Sequence, residues 1–264
     1  MKRAGLGRLA AHYFRFNLSA NMAYSTSFLI QVFGMVLNNG AFIIFWLVLF
    51  ERIGGEIGGY GFGDVMFLWS VAAAGIGLGV VLFGNANMLS RVIYTGELDV
   101  YLLQPKPVLP NVVMSRMIVA GWGDFMYGVI LFALTQPISV VGCLLFLLFT
   151  GLLAFVYSAL KVIYHSISFY LGNAEGFAQM AGDLIITFVI YPGSIFKGAS
   201  AWILHSLIPA AFVAYIPARI FKELDLRLLP LVIAADALFV ALAFLVFRRG
   251  LKRYESGNLI GTRL

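Results

Sequence analysis

Residues Asn85 to Asn111 read NANMLSRVIYTGELDVYLLQPKPVLPN and stand between apolar runs long enough to cross a bilayer. Within the stretch Met88, Leu89, Val92 and Ile93 recur at i, i+1, i+4 and i+5, the spacing of one helical face. Gly96 supplies a stop, and Glu97 and Asp99 fall in a new first turn, where acidic groups favour the helix dipole. Leu98, Tyr101 and Leu102 give this second helix an apolar face. Pro105-Lys106-Pro107 ends it, because proline lacks an amide donor and drives its predecessor out of helical backbone. The stretch predicts a compact helix-turn-helix facing water, and a water-facing module inside an apolar chain is a surface for contact.

Composition sets the solvent around that module. Of 264 residues 61% are hydrophobic and 11% charged, with a mean hydropathy of +0.94. A soluble domain carries about 25% charged residues, so too little polar surface remains here to cover a water-soluble globule. The sequence reads as all-α and as a polytopic integral membrane protein. A net charge of +6 in a soluble chain would suggest nucleic acid. Here the basic residues bracket hydrophobic runs and read as topology signals, so no nucleic-acid partner is expected. Cys143 is the only cysteine, which excludes an intrachain disulfide and a cysteine metal cluster.

Six transmembrane helices are predicted, at Tyr24 to Phe50, Phe62 to Phe83, Val112 to Leu134, Ile138 to Leu160, Phe177 to Phe196 and Leu229 to Phe247. Lys2, Arg3, Arg8 and Arg15 at one end, and Arg248, Arg249, Lys252, Arg253 and Arg263 at the other, put both termini in the cytoplasm. An even number of crossings follows, so the seventh apolar run, Gly198 to Ile216, is expected to enter from outside and return as a re-entrant helical hairpin within residues 192–228. Backbone of that kind survives at membrane depth only when buried in protein or lining a wet cavity. With Lys161 counted in a loop, thirteen of the eighteen Lys and Arg residues lie on the cytoplasmic side, and so does the 85–111 segment. Residues 1–20 carry Leu6, Leu9, Ala10, Tyr13 and Phe14 on one face and Arg8, His12 and Arg15 on the other, the pattern of an amphipathic interfacial helix. Arginine and histidine inside that run argue against a cleavable signal peptide. A single domain, 1–264, accounts for the whole sequence.

Catalytic constellations are missing. His12, His165 and His205 lack paired ligand spacing, no G-x-S-x-G occurs, and no metal site is expected. Three acidic residues fall inside predicted spans, Asp124, Asp183 and Asp236, each costing roughly 2.5–3.5 kcal/mol at a helix centre on insertion scales. They line a translocation pathway, hold a coupling ion, or hydrogen-bond neighbouring helices. Asn38 and Asn39 in the first span pose the same choice, with interhelical bonding favoured. Gly75, Gly77 and Gly79 look like part of a nucleotide fingerprint but lie inside an apolar span, where close helix packing is the better reading. Trp46, Trp69, Trp122 and Trp202 read as interface belts or span packing.

Three motifs carry a resemblance. They are Gly96-Glu97-Leu98-Asp99 followed by Leu102-Leu103-Gln104-Pro105; Tyr191-Pro192 with the run from Ile208-Pro209 to Pro217-Ala218; and Gly250 to Asn258, GLKRYESGN. In these the chain resembles the permease subunits of type-2 ATP-binding-cassette (ABC) exporters, most closely a bacterial branch whose permeases are often encoded in pairs. The resemblance implies an interfacial first helix, six spans, a cytoplasmic coupling helix between spans two and three, and a re-entrant hairpin before span six, in the bacterial cytoplasmic membrane. No G-x-x-x-x-G-K-[ST] occurs, so the chain itself cannot cradle ATP phosphates. By resemblance, ATP and Mg would be held by a separate cytoplasmic ABC ATPase, two copies per complex. That ATPase would grip Glu97, Leu98, Asp99, Tyr101 and Leu102, with Arg91 and Lys106 at the rim. A second permease subunit, identical or paralogous, and membrane lipid complete the expected partners. The expected cargo is amphiphilic or hydrophobic: a drug, lipid or peptide. The alternatives are an ion-coupled secondary transporter using the intramembrane aspartates, and a membrane enzyme acting on lipid, for which no catalytic cluster is present.

Overall fold

The computed structural model describes residues 5–57, 59–191, 198 and 211–255. Among them all regular structure is helical, with one isolated bridge between Ile57 and Tyr60. The order is α1 (Leu6–Met22), α2 (Ser25–Ile53), α3 (Phe62–Phe83), a 3-10 turn (Gly84–Met88), then three short helices, α4 (Leu89–Tyr94), α5 (Leu98–Leu102) and α6 (Val108–Val113). After these come α7 (Ala120–Thr135), α8 (Val140–His165), a single turn α9 (Ser168–Leu171) and α10 (Glu175–Ile190). A wide π-type turn, Ala211–Tyr215, leads into α11 (Ile216–Glu223), and a 3-10 turn, Leu226–Leu228, into α12 (Leu229–Leu251). Among the described residues four stretches are long and apolar enough to cross a membrane: Ser25–Ile53, Phe62–Tyr94, Val140–Leu171 and Leu226–Leu251. The chain is a multi-pass membrane protein. Helix α7 is apolar but has 16 residues, about 24 Å against a hydrocarbon core of about 30 Å.

Helix α3 is the axis. Nearly every residue from Val65 to Phe83 is buried, whereas most of α2 and α12 is exposed. Helices α7, α8 and α10 pack on α3, with α7 on one side and α8 on the other, and α11 and α2 touch it as well. The Gly75, Gly77 and Gly79 series explains the arrangement. Residues four apart share a face and the one between them points away. Accordingly Gly75 meets Leu153 and Gly79 meets the Ala154 carbonyl of α8, while Gly77 lies on Gly121 and Phe125 of α7. Helix α7 answers with glycines of its own: a Cβ on Gly128 would stand 2.5 Å from the Ser70 carbonyl oxygen, and one on Gly123 would stand 2.5 Å from the Val32 carbonyl oxygen of α2. Close backbone approach of this kind is how apolar helices gain van der Waals contact where lipid offers no hydrophobic drive between them. The close-packing expectation for the three α3 glycines holds.

Two expectations need correction. The third apolar run does not continue from Val112. Val112 and Val113 end α6, and the chain turns through Ser115 to Val119 before α7 begins at Ala120. Ser115 Oγ caps the Val112 carbonyl at 2.7 Å and Ile118 N–H donates to the Val80 carbonyl, which pins this linker to α3. The segment outside the long helices therefore runs from Gly84 to Val119. Lys161, counted above as a loop charge, is 2% exposed, because α8 carries on to His165 and buries it. The re-entrant hairpin lies largely outside the described residues, as does Trp202; of the 192–228 stretch, Gly198 and residues 211–228 are described. In that part Tyr215 donates to the Phe188 carbonyl at 2.6 Å, and Phe221 stacks on Phe67 with ring centroids 3.9 Å apart, which fastens α11 to α10 and α3.

Gly128→Ala is expected to cost about 1–3 kcal/mol through overpacking, read as a lower melting temperature of the purified protein in detergent. Gly34→Ala, where a Cβ meets open space, should not lower it. Equal melting temperatures would refute the α3–α7 approach.

Candidate functional site

The segment from Gly84 to Val119 folds as the helix-turn-helix that its spacing predicts. Helix α4 stops at Gly96, whose φ of 81° is left-handed backbone that glycine adopts without a Cβ clash, and α5 follows at once. Leu89, Val92, Ile93 and Leu98 turn inward onto Leu109 and Val112 of α6, Val162 of α8, Phe169 of α9 and Phe247 of α12. One apolar core thus joins the segment to three other parts of the chain.

Polar braces add direction to that core. The Asn85 amide donates to the Val112 carbonyl and to Ser115 Oγ, and Ser115 in turn lies 3.0 Å from the Tyr101 hydroxyl. Asn111 donates to Gln104 and accepts from Tyr13 of α1 at 2.5 Å, while Asn17 of α1 donates to the Met114 carbonyl. Gln179 of α10 donates to the Asn87 carbonyl at 3.0 Å, and Tyr157 of α8 donates to the Asn87 side chain at 3.4 Å. Ser90 and His165, both fully buried, meet at 2.9 Å. Lys161 donates to Gln179 at 3.1 Å and lies over the Tyr157 ring. Its stem fills the space that Gly182 leaves open, so a Cβ there would collide with the ammonium. Asp183 stands within electrostatic reach of Lys161. Sequence reasoning gave no bracing role to Asn85, Asn87, Ser90, Asn111 or Gln179, counted Lys161 as a loop charge, and weighed His165 for metal-ligand spacing alone. The signal present was a run of amides and hydroxyls at the boundary of an apolar run, where each buried polar group needs a partner.

The expected contact residues divide into two sets. Arg91, Glu97 and Lys106 are exposed, as are Leu102 and, beyond the expected set, Val100 and Leu103, the last 88% exposed. Leu98 is fully buried, so it holds the segment together and offers nothing outward. Tyr101 is half-buried on Ser115. Asp99 lies beside Tyr254, just past α12. Burial and then the Asp99 carboxylate push that phenol up to about 12. The outward face is therefore an apolar pair, Val100 and Leu103, with Leu102 beside it and a charged rim.

The intramembrane candidates do not converge on one site. Asn39 is buried and donates to Asp124 of α7 at 2.6 Å, joining α2 to α7, while its neighbour Asn38 is exposed on the other face of α2. Asp183 is exposed on α10. Asp236 of α12 is buried, and its Oδ1 has no partner among the described residues. Among those residues no group of three or more metal-ligating side chains occurs. Trp46 and Trp69 are buried in an aromatic cluster with Phe42, Phe50 and Tyr191, at the end of the bundle opposite the 84–119 segment. At the same end Lys222 of α11 pairs with Asp64 of α3 at 2.7 Å, and that hydrogen bond raises the Lys222 ammonium above its ordinary range.

The family model described as ABC-2 family transporter protein matches residues 36–258, a stretch that takes in the 84–119 segment. No curated protein and no solved structure matches the chain.

Asn39→Ala removes the partner of a part-buried carboxylate and is expected to cost about 1–3 kcal/mol, whereas Asn38→Ala should stay within about 0.5 kcal/mol. Melting of both variants in the same detergent checks the contrast, and equal losses would refute the bond.

Proposed function

As the chain belongs to the ABC-2 family of transporter proteins and is an ABC-type permease of the membrane, we propose that it exports an amphiphilic or hydrophobic cargo with energy from a separate ATPase. The chain spans the membrane six times, with α7 and α10 as the two short crossings. Both termini and the 84–119 segment face the cytoplasm of a bacterial cell. Two copies of a cytoplasmic ABC ATPase, carrying ATP and Mg, work with two permease subunits, identical or paralogous. The chain is not itself an enzyme: it has no Walker loop and contributes the path.

The observation that carries this reading is the bracing of the 84–119 segment. It presents Val100, Leu102 and Leu103 to solvent, within a charged rim of Arg91, Glu97 and Lys106, while its inner side is bonded or packed to α1, α8, α9, α10 and α12. Exposed apolar side chains ringed by charge are the anatomy of a docking patch. A push on that patch has no soft layer to absorb it, so ATPase closure would rock the helices between inward-open and outward-open arrangements as bodies. A coupling-ion role is the second reading, favoured by the buried Asp236 oxygen, which has no partner among the described residues.

Affinity purification of the tagged chain from native membranes, with mass spectrometry and an ATPase assay, tests the first reading. Recovery of an ATPase with vanadate-sensitive turnover is expected. A single polypeptide whose transport stops with an uncoupler would move the assignment to ion coupling through Asp236. Within the complex, Val100→Asp with Leu103→Asp should weaken ATPase capture at least about tenfold and leave the size-exclusion profile unchanged. Leu98→Ala should instead destabilise the permease by about 2–5 kcal/mol. Full ATPase capture by the double variant would remove the patch from the coupling surface.

A further inference from the structure

An apolar cavity of about 460 Å³ lies between α1, α3, α6, α8 and α12, and it is open on one side. Its volume falls in the range of about 300–1,000 Å³ usual for small-molecule sites. Of the described side chains around it only Asn17 and Ser158 are polar, and both have their donors engaged within the protein, Asn17 on the Met114 carbonyl and Ser158 on the Ala154 carbonyl. An apolar space of this kind stays dry and accepts apolar groups.

The depth of the cavity says which apolar group. Ala243 and Phe244 of its wall stand seven or eight residues before the end of α12, and Ala159 stands six before the end of α8. At 1.5 Å per residue these walls lie roughly 10 Å in from the helix ends, within the acyl region of one leaflet. Helix α1 forms the remaining wall through Ala10 and Phe14, and carries Arg8, His12 and Arg15 on its exposed face. Lys106 stands over the ring of Tyr13 beside them. Helix α1 so turns an apolar side to the slot and a cationic side to the headgroup layer, where the phosphates of anionic lipids lie.

We propose that this cavity holds one acyl chain of an anionic phospholipid from the leaflet beside the 84–119 segment, with its phosphate in the headgroup layer that the α1 cations face. Naming that leaflet the cytoplasmic one rests on the topology proposed above; occupancy of the cavity does not. The tail lies against Leu109 and Val113 of α6. It therefore joins the contact segment to α12, and the lipid is a structural part of the coupling end rather than cargo in passage.

The test uses the full chain in vesicles of phosphatidylethanolamine and phosphatidylglycerol, with a trace of phosphatidylglycerol carrying a photoactivatable diazirine in mid-chain. After illumination, adducts are mapped by peptide mass spectrometry. Peptides containing Phe14, Phe155 and Phe244 should carry roughly tenfold more label than the α2 peptide containing Ile30 and Phe33, which faces bulk lipid. Ala159→Phe and Ala243→Phe, each filling the cavity, should lower that label roughly tenfold and leave the α2 label unchanged. Equal label in the two sets of wild-type peptides overturns the proposal, and that comparison needs no variant to fold. Crosslinks from α12 to a second copy by an added bifunctional reagent, with no lipid adducts on these peptides, overturn it too, by giving the cavity to protein. So does label that an exported amphiphile displaces, which would make the cavity a cargo site. Vanadate-sensitive ATPase activity of the same vesicles with the partner subunit reports separately on the permease reading.

Discussion

Close approach of α3 to its neighbours on both sides is the constraint on which the rest of the molecule depends. A helix buried nearly all round must be smooth on more than one face, and alternate glycines at 75, 77 and 79 supply two smooth faces from one short run. Helix α7 returns the favour with Gly121 and Gly128 against α3 and Gly123 against α2. In lipid such contact must come from fitting surfaces, since acyl chains are as apolar as leucine. The Asn39–Asp124 bond, within the α2–α7 contact, adds the one strongly polar tie between those two helices. Its value lies in orientation, because a carboxylate in an apolar surround is costly unless a donor meets it.

The far end of α3 inherits that rigidity and passes it on. Gly84 packs against the carbonyl of Arg116 and the amide of Ile118, so the chain leaving α3 and the chain entering α7 touch at the point where both change direction. Between them the 84–119 segment is folded back on its own amides, Asn85 and Asn111, and on Ser115. Buried amides and hydroxyls that are mutually satisfied hold one geometry, since any slip would leave a donor or acceptor unpaired. The segment is stiff for the same reason that its parent helix is fixed. On the proposed role of the segment as a docking surface, a stiff and multiply anchored body would transmit force that a loose loop would dissipate.

Legibility in the sequence was uneven, and the divide follows the range of the interaction. The α4–Gly96–α5 turn could be read because its signals are local: a periodic apolar face, a glycine at positive φ and prolines beyond. The amphipathic character of α1 was visible for the same reason, and so was the packing role of the α3 glycines, which needs only the helical repeat. Lys161 was misread as a loop charge because hydropathy stops at the first cation, while the helix continues and finds Gln179, Tyr157 and the gap at Gly182 to receive it. Val112 was misread as the start of an apolar span because composition cannot distinguish an apolar turn packed on protein from one facing lipid. Leu98 and Leu103 look alike in sequence, yet one is fully buried and the other is the most outward part of the segment.

By itself the sequence determined the solvent, the helical class, the presence of a polar module between apolar runs and the family resemblance. These rest on composition, on local spacing and on short motifs, which a single chain carries whatever its partners in space. Tertiary structure alone decided which side of the module faces outward, that Asn39 rather than Asn38 meets Asp124, that Asp236 is left without a partner among the described residues, and that α1 closes one wall of an apolar cavity. Each of these depends on groups tens of residues apart. Their meeting is fixed by the angle and spacing of packed helices, and no local pattern encodes either quantity.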